Sequence, residues 1–88
     1  MKNESMKIYE KIGNKWNLIN DFIPSTMEDR IIFYKRLNNN ILAATFWKYK
    51  SIIRKKEYNN YNGTRTLEII FENDSGKKYK YEFIFEEY

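Results

Sequence analysis

Two stretches near the C-terminus alternate between apolar and polar side chains, with a turn between them. Leu67, Ile69 and Phe71 alternate with Thr66, Glu68 and Glu72, and Tyr79, Tyr81, Phe83 and Phe85 alternate with Lys78, Lys80, Glu82 and Glu86. Period-two alternation is the signature of strands with one buried face. Between them, Asp74-Ser75-Gly76 suits a type I turn closed by a left-handed glycine, which aligns Phe71 with Tyr79 and Ile69 with Tyr81. An isolated hairpin is marginal in water, so the rest of the chain must cover its apolar face.

With 88 residues and no cysteine, that cover has to come from one domain held by packing alone. Aromatic residues make up 18% of the chain, so they should dominate the core. A second hairpin is expected where Gly13-Asn14-Lys15 separates Ile8-Tyr9-Glu10-Lys11-Ile12 from Trp16-Asn17-Leu18-Ile19, with Ile12 opposite Trp16 across a three-residue loop. The competing reading makes Trp16, Ile19, Phe22 and Ile23 a short helical stripe. Residues 1–5 are polar and expected to fray.

A helix is predicted to start at Pro24-Ser25-Thr26-Met27-Glu28, where Ser25 and Glu28 form a capping box. Glu28 and Asp29 favour its N-terminal end, Lys35 and Arg36 its C-terminal end, and Met27, Ile31, Tyr34 and Leu37 form its buried stripe. Asn38-Asn39-Asn40 is expected to break it. Spacings of three and four through Ile41 or Leu42, Phe46, Tyr49 and Ile52 or Ile53 predict a second helix to about Lys56, or one bent helix. The alternative is a strand over 45–58, against which stands parity: paired with the following strand, its core face would carry Ser51 and Lys55. The expected fold is therefore α+β, a small antiparallel sheet of two hairpins packed against one or two central helices.

Function is constrained first by exclusion. Without His or Cys, no Ser-His-Asp or Cys-His nucleophile can be built and the usual zinc sites are lost, so neither catalytic residues nor a metal or cofactor is expected. Gly13, Gly63 and Gly76 each read as turns, not as a phosphate loop. The start of the chain lacks a signal-type apolar stretch and no run is long enough to span a bilayer, so the expectation is a soluble cytoplasmic protein with no membrane partner.

Charge is unevenly distributed within an overall excess of +4. The segment from Arg30 to Arg65 holds Arg30, Lys35, Arg36, Lys48, Lys50, Arg54, Lys55, Lys56 and Arg65 against Glu57 alone, whereas the residues from Thr66 onward are net acidic. Projected on a helix, Trp47 falls beside Lys50 and Arg54, opposite Phe46, Tyr49, Ile52 and Ile53. A flat side chain framed by cations has the composition of an interface anchor or a base-stacking platform. The candidate binding residues are therefore Trp47, Lys48, Tyr49, Lys50, Arg54, Lys55 and Lys56, and the competing reading buries Trp47 with Ala43 and Ala44 against another element.

Valine is absent while Lys, Asn, Ile, Tyr and Phe abound, the coding style of AT-rich genomes such as low-GC bacteria and their phages and mobile elements. The leading expectation is a small non-enzymatic inhibitor, anti-defence or anti-CRISPR in kind, whose partner is a host protein or ribonucleoprotein complex that handles nucleic acid. One alternative is direct binding of DNA or RNA. Another is a histidine-free RNase toxin, using Lys, Arg, Tyr and Glu as charge stabilisers and proton carriers. Nothing in the pattern sets an oligomeric state.

Overall fold

The computed structural model describes residues 4–46 and 52–86. Five strands, β1 (Ser5–Ile12), β2 (Lys15–Phe22), β3 (Ile52–Asn59), β4 (Thr64–Glu72) and β5 (Lys78–Glu86), form one antiparallel sheet in the order β2-β1-β5-β4-β3. One helix, α1 (Met27–Phe46), connects β2 to β3. This corrects the expected pair of hairpins on central helices: the fold is dominated by a single sheet, because β1 pairs with β5 and fuses the hairpins. The terminal hairpin consequently has no open edge, being flanked by β1 and β3.

The length of α1 follows from this order. It joins the two outermost strands, which at about 4.8 Å per neighbour stand about 19 Å apart. Its 20 residues extend about 30 Å, enough to cross one face of the sheet obliquely. Phe33 and Leu37 press from the helix onto Met6, Leu67, Ile69 and Phe83, and Ile8, Phe22, Tyr34, Ile52, Tyr81 and Phe85 border this core. Phe33 meets Phe83 edge-on at 6.0 Å between ring centroids, an arrangement that adds to simple burial.

The β4–β5 register matches the turn chemistry: Phe71 pairs with Tyr79 and Ile69 with Tyr81, and Gly76 takes φ 85°. The first hairpin is tighter than expected. Its loop is Gly13-Asn14 alone, so Ile12 pairs with Lys15 and Lys11 with Trp16. Gly13 at φ 62°, followed by a residue with negative φ, fits a type II′ turn, which matches the twist of the flanking strands. The helical reading of Trp16 to Ile23 is excluded by β2.

The helix starts one residue later than the capping box predicted. Thr26 Oγ1 accepts from the Asp29 amide at 3.0 Å, and the Asp29 carboxylate accepts from the Ser25 amide and hydroxyl at 3.3 Å. Thr26 thus takes the capping position expected of Ser25 and Asp29 the role expected of Glu28, with the returning bond made to Ser25 and not to the cap residue itself. Of the expected stripe, Leu37 is buried and Tyr34 half-buried against the core, whereas Met27 and Ile31 are 71% and 63% exposed and Phe33 is buried in their place. The asparagine run does not break the helix, and Lys35 and Arg36 lie mid-helix. Three asparagines cost at most about 0.7 kcal/mol each in propensity, which burial of Phe33 and Leu37 at about 1.5–3 kcal/mol each offsets.

Residues 52–59 are strand, not the end of a second helix. Alternation does put Lys55, paired with Ile69, and Glu57, paired with Leu67, on the helix side of the sheet. An irregularity between Ile52 and Arg54 brings Ile52, paired with Phe71, onto that side as well, and Ser51 lies outside the described residues. The inward charges are tolerated because β3 is an edge strand exposed along nearly its whole length, with Ile52 half-buried against the core. Charges on the inner side of an edge strand discourage pairing with a second sheet. The opposite edge, β2, is interrupted by a bulge at Ile19, where Ile8 pairs with Asn20 and Tyr9 with Leu18.

The expected fraying at the N-terminus is overturned for Glu4 and Ser5. Ser5 opens β1, and Glu4 is buried, its carboxylate accepting from Arg30 Nε at 3.2 Å and from the Tyr34 hydroxyl. No helix among the described residues is long and apolar enough to cross a membrane.

Candidate binding surface

A sheet covered on one side exposes alternate residues on the other, and the strand registers define the resulting rows. One row crosses all five strands as Leu18, Tyr9, Lys80, Ile70 and Arg54. The next runs Asp21, Lys7, Glu82, Glu68 and Lys56. Trp16, paired with Lys11, extends the first row toward the β1–β2 turn, and Lys78, paired with Glu72, lies on the same face.

The two rows differ in chemistry. Lys80 Nζ lies 4.7 Å from the ring centre of Tyr9 and 5.1 Å from that of Trp16, and Lys11 Nζ lies 5.8 Å from Trp16. One ammonium thus bridges two aromatic faces, within the range at which the ring quadrupole attracts a cation. Leu18 at the rim is about half exposed. In the neighbouring row Glu82 and Glu68 are directly paired like charges, flanked by Lys7 and Lys56. The face therefore has a cationic, aromatic track bordered by an acidic one.

At the far corner Tyr58, Asn60, Thr66 and Ile84 line a shallow depression of about 500 Å³. Its floor is ordered by the Asn60 side-chain amide, which donates to Thr64 Oγ1 at 3.0 Å and Thr66 Oγ1 at 2.8 Å. Lys56 Nζ sits 5.4 Å from the Tyr58 ring centre, repeating the cation–aromatic theme.

Tyr9, on this face, has a displaced titration. Burial, and then the charges of Glu82, Asp21 and Glu68, push its phenol above the ordinary value of 10. Because the folded state holds this proton more tightly than the unfolded chain, its stabilising contribution is complete below pH 10. That contribution is lost as pH rises through the folded value. Carbon NMR of ring-labelled tyrosine should show a resonance that titrates above pH 10 and disappears in Tyr9→Phe, and a Tyr9 resonance titrating at or below 10 contradicts this account.

Among the sequence-predicted binding residues, Trp47, Lys48, Tyr49 and Lys50 lie outside the described residues. Ala43, Ala44 and Phe46 belong to the helical backbone, with side chains outside the described ones. The helical projection that set Trp47 beside Arg54 no longer holds, because Arg54 is in β3. Alternation splits the basic run instead: Arg54 and Lys56 share the open face with Tyr9 and Lys80, while Lys55 stands on the helix side. The sequence alone does not reveal Tyr9, Lys11 and Trp16 as a cluster, and it marks Lys78 and Lys80 only as polar positions of an alternating strand. The signal was the repeat of cations and aromatics at every second residue in Lys7-Tyr9-Lys11, which acquires meaning once β1 is known to pair with β5.

Among the described residues no group of three acidic side chains is close enough together to hold a metal ion. No protein-family model, curated protein or solved structure matches the chain.

Proposed function

We propose that this chain is a non-enzymatic, cytoplasmic binding protein, of phage or mobile-element type, that docks on a nucleic-acid-handling complex through the helix-free face of its sheet and modulates or inhibits that complex. The observation that carries the reading is the aromatic corner of that face, where Lys80 bridges Tyr9 and Trp16 and Lys11 adjoins. Half-buried aromatics ringed by cations are the side chains that dominate binding energy at interfaces. Arg54 and Lys56 add charge that steers an acidic or nucleic-acid-bearing partner toward the face. Trp47, Lys48, Tyr49 and Lys50 immediately precede β3 in the chain and belong to the same proposal as additional anchors.

The test is affinity capture from the source cell with the intact chain, compared with Trp16→Ala, Lys80→Gln and Lys55→Gln. The expected result is a nucleic-acid-processing assembly retained by wild type and Lys55→Gln, lost with Trp16→Ala and weakened with Lys80→Gln, since truncating a true anchor costs about 2 kcal/mol or more. Equal capture by folded Trp16→Ala and Lys80→Gln proteins defeats the assignment of the surface.

A further inference from the structure

We infer that the ligand held directly by the helix-free face is a single-stranded nucleic acid segment, its bases stacked on Trp16 and Tyr9 and its phosphates on Lys11, Lys78, Lys80 and Arg54. This rests on the proposed function and deepens it by naming what the docking face takes.

Three observations favour a single strand over a folded protein partner. The first is the pairing of ring faces with ammonium groups: Lys80 Nζ at 4.7 and 5.1 Å from two ring centres occupies a position from which the side chain can swing to a phosphate, freeing the rings for bases. Every base has a π-face, so such a platform needs no sequence-specific hydrogen bonds. The second is direction. The row from Leu18 through Tyr9, Lys80 and Ile70 to Arg54 runs across all five strands, about 19 Å at strand spacing, a track suited to an extended chain. The third is the border. The paired Glu82 and Glu68 lie one row away, between Lys7 and Lys56, and repel phosphates from the middle of that row, which favours a polyanion on the cationic row. A duplex would have to lay phosphates on both rows at once and is disfavoured by the same carboxylates.

Two neighbouring cations provide the control. Arg54 is on the open face and Lys55 is on the helix side, so reversing either changes net charge equally while only one alters the track. The experiment titrates the intact wild-type protein against end-labelled oligothymidylate and oligouridylate of about twelve nucleotides, reading anisotropy, and takes the quenching of Trp16 as the difference in indole fluorescence between wild type and Trp16→Ala. Expected are quenching of Trp16 and a log-log salt slope of about −2.8, from four cations at about −0.7 each on a single strand. Trp16→Ala, read by anisotropy, should bind roughly 5- to 150-fold more weakly. Arg54→Glu should weaken binding by about tenfold or more, with Lys55→Glu within about twofold of the parent protein.

Equal losses from Arg54→Glu and Lys55→Glu would mean diffuse electrostatic attraction and overturn the track. Absence of binding at low salt overturns the nucleic-acid assignment outright. If the captured assembly is still lost with Trp16→Ala in that case, the face is a protein-docking surface and only this inference fails. If capture is unaffected as well, the proposed function fails with it.

Discussion

Phe83→Ala should lower the stability of the fold by about 3–5 kcal/mol, measured by urea denaturation at 25 °C. The side chain is fully buried at the centre of the sheet, flanked by Met6 and Leu67 on the neighbouring strands and capped by Phe33 of the helix. Its removal leaves a cavity where strand and helix meet, and a rigid sheet closes little of it. A chain of 88 residues has a total stability of about 4–13 kcal/mol, so the variant is largely unfolded if the protein stands near the lower bound. The matching control is Ile31→Ala. That residue belongs to the stripe that helical periodicity marked as buried, yet it is 63% exposed, and its truncation should stay within about 0.5 kcal/mol of wild type. A loss below about 1 kcal/mol for Phe83→Ala, or a comparable loss for both variants, contradicts the packing described.

The contrast between those two residues shows which parts of the fold were legible in the residues. The β4–β5 hairpin was readable to its register because its information is local: a glycine at φ 85° and strict alternation on either side. The helix start was readable to within one residue for the same reason, since Ser25 and Glu28 mark a cap locally and Thr26, the next residue, takes the capping position. What failed depends on contacts distant in sequence. Ile31 and Phe33 are equally apolar, and which of them faces the core is set by how the helix is rotated against β1, β5 and β4. Parity speaks against the alternative of a strand over 45–58 because Ser51 and Lys55 would face inward, an objection that loses its force on an edge strand that solvent reaches. The binding surface was least legible of all. Tyr9 and Lys80 come from opposite ends of the chain and meet only through the β1–β5 pairing, whereas the contiguous basic run that drew attention is divided between two faces.

The second large effect lies in the segment expected to fray. Arg30→Ala should cost about 3 kcal/mol and Glu4→Ala distinctly less, an asymmetry set by solvent access. The Glu4 side chain is sealed at 0% exposure while that of Arg30 is 23% exposed. Deleting the guanidinium strands a carboxylate in the interior with the Tyr34 hydroxyl as its other donor among the described residues. An uncompensated buried charge of this kind costs several kcal/mol. Deleting the carboxylate instead leaves a cation that already reaches water and can turn outward along its aliphatic stem. The cost of Glu4→Ala is then chiefly lost hydrogen bonds and lost packing, about 1–2 kcal/mol. Replacing both together, as Glu4→Leu with Arg30→Met, should restore stability to near the wild-type value, because a well-packed apolar pair escapes the desolvation that the ion pair must overcome. Urea midpoints of the two single variants and the double variant decide the matter. If Glu4→Ala proves the costlier single change, or the double variant is as unstable as the sum of the singles, the pair is not the buried clip that fastens the start of β1 to α1.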